Sequence, residues 1–227
     1  MKKQDKKAAQ AKAKALKERR KRILYVAGAV LVAGLVVFGL LMGGGSEEKD
    51  GQVKTSLDEY LVYYADIVIR DYGTVTVKLD QSQAPITCEN FVKLAESGFY
   101  DGLTFHRIME GFMMQGGDPN GNGSGGSGQK IVGEFIKNGY NNTLSHTRGA
   151  ISMARANAYD SASSQFFIVQ EDSVSLDRLY AAFGYVTEGM DVVDAVCRDA
   201  KPTDNNGTIP AEQQPVIESI TIRAEGA

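Results

Sequence analysis

The chain has 227 residues, 43% of them hydrophobic, with 25 Lys and Arg against 28 Asp and Glu for a net charge of −3. That length supports a substantial core, and the acidic balance argues against nucleic acid as a partner, since a polyanion would be repelled. The average hides an asymmetry, because residues 1–22 carry eleven Lys or Arg against Asp5 and Glu18, a local +9 that leaves −12 for the remainder.

Residues 23–42 (ILYVAGAVLVAGLVVFGLLM) follow this basic run without a charge or a proline. Twenty helical residues rising about 1.5 Å each cross a hydrocarbon core of about 30 Å, so a membrane-spanning helix and contact with a lipid bilayer are expected here. A cleavable signal would have an apolar region of about 7–15 residues ending in small residues, whereas this run is longer and leads into MGGGSEEKD. Basic residues before the span predict a cytoplasmic N-terminus and an extracytoplasmic bulk. Residues 43–57 have linker composition. A folded domain is expected over 58–227, large enough to bury about 70% of its unfolded surface.

Within it, the runs 65–70 (ADIVIR) and 74–79 (TVTVKL) flank Asp71-Tyr72-Gly73 and read as a β-hairpin. After Pro85, the apolar residues Cys88, Phe91, Val92 and Ala95 recur at helical spacing and stop before Gly98. Short β-rich runs follow at 149–153, 165–170 and 182–186, then a helical pattern through Met190, Val193, Val196 and Cys197, and a last strand at 216–222. Many short strands, few helices and frequent glycine turns predict a mainly β domain, a closed barrel or a sandwich.

Residues 105–129 (FHRIMEGFMMQGGDPNGNGSGGSGQ) set the functional question, because Gly121, Gly123 and Gly126 have the spacing G-x-G-x-x-G. A dinucleotide cradle requires that motif between a strand and a helix. Here it lies between Asp118-Pro119-Asn120 and a segment without helical periodicity, so no nucleotide is expected and the glycines read as a flexible surface rim. The two histidines, His106 and His146, are forty residues apart and read as satisfied structural groups; no metal set or cofactor is implied. The nucleophile elbow G-x-S-x-G is missing. Cys88 and Cys197 fall on the apolar sides of two helical patterns, which favours buried thiols over a bridge.

The blocks FHRIMEGFMMQGGD, ISMARANAYDSASSQFFIV and LDRLYAAFGYVTEGMDVV resemble, in order, the signature blocks of the cyclophilin-type peptidyl-prolyl cis-trans isomerases. The resemblance covers roughly residues 66–222 and implies a closed eight-stranded antiparallel β-barrel with two capping α-helices. It implies an isomerase for proline-containing polypeptides, with Arg107 and Gln115 as the catalytic residues. Phe112, Met113, Phe167 and Leu176 would form a proline pocket with Tyr180 at its rim. Ala154 and Arg155 would hold the flanking peptide through their backbone, and Gln165 would support Arg107 or the substrate chain. Arg155 stands where many relatives have Asn, and Tyr180 where many have His. A bacterial, membrane-anchored form acting on exported unfolded proteins is the expectation; a non-catalytic binding module using the same groove is the competing one.

Overall fold

The computed structural model describes residues 55–226. The basic tail, the expected membrane span and most of the linker lie outside the described residues; among those described, no helix is long and apolar enough to cross a membrane.

Eight strands form one antiparallel sheet: β1 (Leu61–Ile69), β2 (Gly73–Leu79), β3 (Thr104–Met109), β4 (Met113–Asp118), β5 (Ala150–Met153), β6 (Phe166–Val169), β7 (Ala182–Glu188) and β8 (Ile217–Gly226). They run in the order β3-β4-β6-β5-β7-β2-β1-β8. The expected barrel is therefore corrected in one respect: no continuous ladder joins its end strands. Around the start of β8, Gly102 N–H donates to Ile217 O (2.7 Å), Ile217 N–H to Leu103 O (2.8 Å) and Phe105 N–H to Pro215 O (2.9 Å), with a single bridge at Thr104–Val216. Elsewhere β3 keeps its edge free of β8, and that edge becomes part of the site.

The hairpin forms as the sequence predicts, but Ile69 pairs with Gly73, so the loop is Arg70-Asp71-Tyr72, and Asp71 itself adopts positive φ (66°). Asp is among the few residues that tolerate this conformation. The β3–β4 hairpin was not legible as strands, because four of its residues carry the site and two are glycines packed too closely for a Cβ. A methyl on Gly116 would lie 2.8 Å from Thr104 O, and one on Gly117 2.6 Å from Ser164 O.

Two helices complete the fold, α1 (Pro85–Glu96) against β8 and α2 (Met190–Asp199) against β2 and β4. Helix α1 buries Cys88, Phe91, Val92 and Ala95, the residues its periodicity singled out. The main core gathers around Phe91, Tyr100, Phe105, Phe166 and Phe183. Both cysteines are buried, free thiols; burial pushes that of Cys197 up to about 12.

Pro85 opens α1 without a side-chain cap from the preceding residue. Instead the buried Glu134 carboxylate accepts from Ile86 N–H (3.1 Å), Thr87 N–H (2.7 Å) and the Thr87 hydroxyl (2.7 Å). Burial raises the Glu134 pKa despite these donors. Replacing Glu134 with Ala leaves helix donors unpaired, at an expected cost of about 1–3 kcal/mol. A melting point within about 1 °C of wild type would contradict this, given roughly 2–4 °C per kcal/mol for a protein of this size.

Candidate functional site

Strand alternation divides the barrel residues between the main core and an outer apolar cluster. In β4 and β6, Met114, Phe166 and Ile168 point into the core, while Met113, Phe167 and Val169 form a second cluster with Ala150, joined by Phe112, Leu176 and Tyr180. A register shift between Phe105 and Arg107 sets the phase of β3: Phe105 and Ile108 both enter the core, and Arg107 faces outward opposite Gln115.

Nine of the ten sequence-predicted site residues line a single cavity of about 230 Å³: Arg107, Phe112, Met113, Gln115, Ala154, Arg155, Phe167, Leu176 and Tyr180. The tenth, Gln165, lines an adjoining cavity of about 420 Å³, and Gln115, Ala154 and Arg155 belong to both.

Arg107 is half-buried and is held by neutral groups. Its Nε donates to Asn206 O (2.7 Å) and Nη1 to Gln115 Oε1 (3.2 Å), while Nη2 lies 3.2 Å from Met109 Sδ and the guanidinium carbon 6.0 Å from the Phe112 ring centroid. Among the described residues no carboxylate forms an ion pair with it. Burial pulls its pKa down, opposed by the more distant Asp204 carboxylate, yet a guanidinium remains charged at any physiological pH.

The carbonyl that orients Nε belongs to a segment sequence reasoning missed. Residues 206–209 pair along the free edge of β3: Ile108 N–H donates to Gly207 O (2.8 Å), Ile209 N–H to His106 O (3.0 Å), and Arg107 bridges Thr208. Asp204 folds the turn by accepting from Asn206 N–H (2.9 Å), Thr208 N–H (3.0 Å) and the Thr208 hydroxyl (2.8 Å). Gly207 has φ +85°, and a methyl there would meet Met109 Cγ at 2.5 Å. The string D-N-N-G-T was the available signal, an Asx-turn composition with glycine at the left-handed position.

Gln165 does not touch Arg107 but backs its partner: Gln115 Nε2 donates to Gln165 Oε1 (2.9 Å), and Gln165 Nε2 donates to Gly123 O (3.0 Å) and Gly125 O (2.8 Å). The glycine segment expected as a surface rim thereby forms one wall of the adjoining cavity, with Gly121, Gly123 and Gly128 at positive φ. Its backbone wraps the buried Asp118 carboxylate, which accepts from Asn120 N–H (2.8 Å), Asn122 N–H (3.1 Å) and Gly123 N–H (2.6 Å). Burial raises the Asp118 pKa, but the surrounding backbone N–H groups outweigh it and hold the carboxyl below its ordinary value. A Cβ at Gly125 would fall 2.1 Å from that carboxylate; the glycines permit close approach to an internal anion.

The histidines divide. His146 is satisfied: Nδ1 lies 2.9 Å from Asp177 Oδ1 and Nε2 3.0 Å from Ser152 Oγ. A carboxylate cannot donate, so Nδ1 carries the proton and Nε2 accepts from Ser152. Burial lowers the His146 pKa against the pull of Asp177. The line Asp-His-Ser has the order of a hydrolytic triad, but Ser152 and His146 are fully buried, so no substrate reaches the hydroxyl. His106 departs from the expectation of a satisfied group. It lies at the β3 register shift, 4% exposed, and among the described residues neither ring nitrogen has a hydrogen-bond partner. Burial, followed by Asp118 in the opposite sense, sets its lowered pKa.

The family model described as "Cyclophilin type peptidyl-prolyl cis-trans isomerase/CLD" matches residues 64–223. "Peptidyl-prolyl cis-trans isomerase B" of Bacillus subtilis is 44% identical over 124 residues, covering 55% of this chain and 83% of that protein. "Peptidyl-prolyl cis-trans isomerase-like 1" of Neurospora crassa is 40% identical over 154 residues, covering 67% and 91%. A crystal structure of a Cryptosporidium parvum cyclophilin-type isomerase, obtained in the presence of the dipeptide Ala-Pro, superimposes with a TM-score of 0.62 at 30% identity, covering 71% of this chain and 99% of that one.

The Asp118 collar has a pH signature. A carboxyl whose folded pKa is depressed stabilises the fold above its unfolded pKa of about 3.9, and that contribution is lost as pH falls through the folded value. Asp118→Asn is expected to cost about 1–3 kcal/mol near neutral pH, with the gap to wild type narrowing in urea melts at about pH 3. A gap of equal size at both pH values would show that the charge of Asp118 contributes nothing.

Proposed function

From the premise that the chain belongs to the cyclophilin-type peptidyl-prolyl cis-trans isomerase family, we propose that Arg107 is its catalytic donor and the 230 Å³ cavity its proline pocket. The chain is a peptidyl-prolyl cis-trans isomerase. Rotation about an Xaa-Pro bond is slow because amide resonance opposes it, with a barrier of about 18–20 kcal/mol and uncatalysed times of tens to hundreds of seconds. Neither nucleophile nor metal is needed. The reaction is helped by an apolar seat for the proline ring and a donor aimed at the amide nitrogen, which recovers its lone pair as the bond twists.

Phe112, Met113, Phe167 and Leu176 supply the seat, and Tyr180 closes its rim. Arg107 supplies the donor. The observation that carries this reading is a guanidinium at the edge of an apolar cavity, oriented by neutral acceptors and unpaired with any described carboxylate. Its charge is left for the transition state, and an interaction stronger there than in the ground state raises kcat. Gln115 fixes Arg107, while the backbone at Ala154 and Arg155, shared with the larger cavity, holds the chain beside the proline.

The proposal extends to setting. Residues 23–42 anchor the enzyme in a bacterial cytoplasmic membrane with residues 1–22 inside, so the isomerase domain meets exported, unfolded polypeptides. This reading is supported by the length of the apolar run and the basic flank before it.

Isomerisation of an Xaa-Pro peptide is expected to fall about 10²- to 10³-fold in kcat/KM for Arg107→Ala, the scale of losing one preorganised donor; equal rates would remove Arg107 from the mechanism. Deleting residues 23–42 is expected to shift the protein from the membrane pellet to the soluble fraction with its isomerase activity intact. If the intact chain is itself soluble after fractionation, the anchor assignment fails.

A further inference from the structure

Arg155 follows β5, and its side chain does something that its backbone role in holding peptide leaves unexplained. The guanidinium carbon lies 4.6 Å from the Tyr180 ring centroid, 5.1 Å from that of Phe135 and 5.2 Å from that of Tyr159. Its Nε and Nη2 both donate to Leu179 O (3.1 and 2.8 Å), and Nη1 donates to Ala156 O (2.9 Å) and Asn157 O (3.4 Å). Four hydrogen bonds therefore occupy a fork that has five N–H groups. Nothing of comparable capacity is left to grip a substrate carboxylate.

The group it grips is the chain carrying two pocket residues, Leu176 and Tyr180. Between them Arg178 has φ +67°, a left-handed conformation that a non-glycine residue adopts only when its surroundings enforce it. One end of this segment is pinned by Asp177, which accepts from His146 N–H (2.6 Å) and the Ser145 hydroxyl (2.6 Å). Arg155 pins the other end twice, at the Leu179 carbonyl and on the face of Tyr180. The Tyr180 ring in turn meets Phe167 edge to face, with centroids 6.0 Å apart and an interplanar angle of 85°.

We propose that the Arg155 side chain is a positioning residue for the isomerase reaction, a strut that holds Tyr180 against Phe167 and so sets the width of the proline pocket. This rests on the assignment of that cavity as the proline seat. Loosening the strut widens the seat that substrate and transition state share, so KM rises while kcat is retained.

The test is steady-state isomerisation by the intact protein of three peptides differing only in Ala, Glu or Lys before proline. For Arg155→Gln, KM is expected to rise about 3- to 10-fold, the scale of losing the forked hydrogen bonds to the Leu179 carbonyl, by the same factor for all three peptides and with kcat within about 2-fold. Arg155→Lys keeps the charge but not the fork, so it should behave like Gln; if the Gln variant fails to fold, the Lys variant decides. In a Tyr180→Ala background the Arg155 substitution is expected to have little further effect on KM. An unchanged KM, a loss confined to the Glu peptide, rescue by Lys, or additivity with Tyr180→Ala would each overturn the strut. Phe167→Ala separates the two readings: if it leaves KM unchanged, the pocket assignment itself is wrong, whereas a raised KM there beside a normal Arg155→Gln refutes only the strut.

Discussion

The site depends on keeping one guanidinium partly desolvated without giving it a counterion. In the proposed mechanism a carboxylate against Arg107 would stabilise the charge in the resting enzyme and leave less of it for a twisting amide, while an unsupported guanidinium would be costly to bury. The protein resolves this with dipoles. A backbone carbonyl at Asn206, an amide oxygen at Gln115 and a thioether at Met109 orient the cation and leave its net charge intact. Asp204 contributes only at a distance, its carboxylate occupied with the turn that presents Asn206.

Much of the surrounding architecture follows from that requirement. The register shift in β3 turns Arg107 outward opposite Gln115, and the free edge of β3 is where residues 206–209 dock to deliver the Asn206 carbonyl. Behind Gln115 stands Gln165, and behind Gln165 the glycine segment, which bends around Asp118 because its residues lack the Cβ atoms that would collide with that carboxylate. The chain Arg107, Gln115, Gln165, Gly123 is a relay of hydrogen bonds to neutral acceptors, running from the pocket to a buried anion's collar. Each accepting amide in turn donates to an acceptor behind it, which fixes its orientation, so in the proposed mechanism little reorganisation is needed when charge shifts at the substrate.

The apolar half of the site is a by-product of the pleat. Because side chains alternate across a strand, the same residues that build the core expose their neighbours on the outer face. Phe166 packs among the core aromatics and Phe167 lines the cavity; Met114 is core and Met113 is pocket. Spacing alone could not separate the two faces, since both are apolar and both are buried. The ordered family blocks picked out ten residues, of which the structure brings nine into one cavity and Gln165 into the adjoining one. They did not reveal the turn from Asp204 to Gly207, which lies nearly a hundred residues from Arg107 and reaches it through the Asn206 backbone carbonyl. Nor did they reveal the Arg155 side chain's hold on Tyr180, which needs three aromatic rings brought together from separate loops.

The amino-acid sequence by itself determined the class of the domain, the hairpin at its start, both helices and the apolar residues each helix buries, because these follow from local periodicity and turn chemistry. It also singled out, through the family resemblance, the residues that the structure gathers with Arg107 around one cavity. Tertiary structure alone decided that the barrel's end strands meet through a few hydrogen bonds, that the glycine run is a wall around Asp118, and that Arg107 has no described counterion. Those outcomes depend on backbone carbonyls, absent Cβ atoms and register. These quantities arise when distant strands pair, and no local pattern of side chains encodes them.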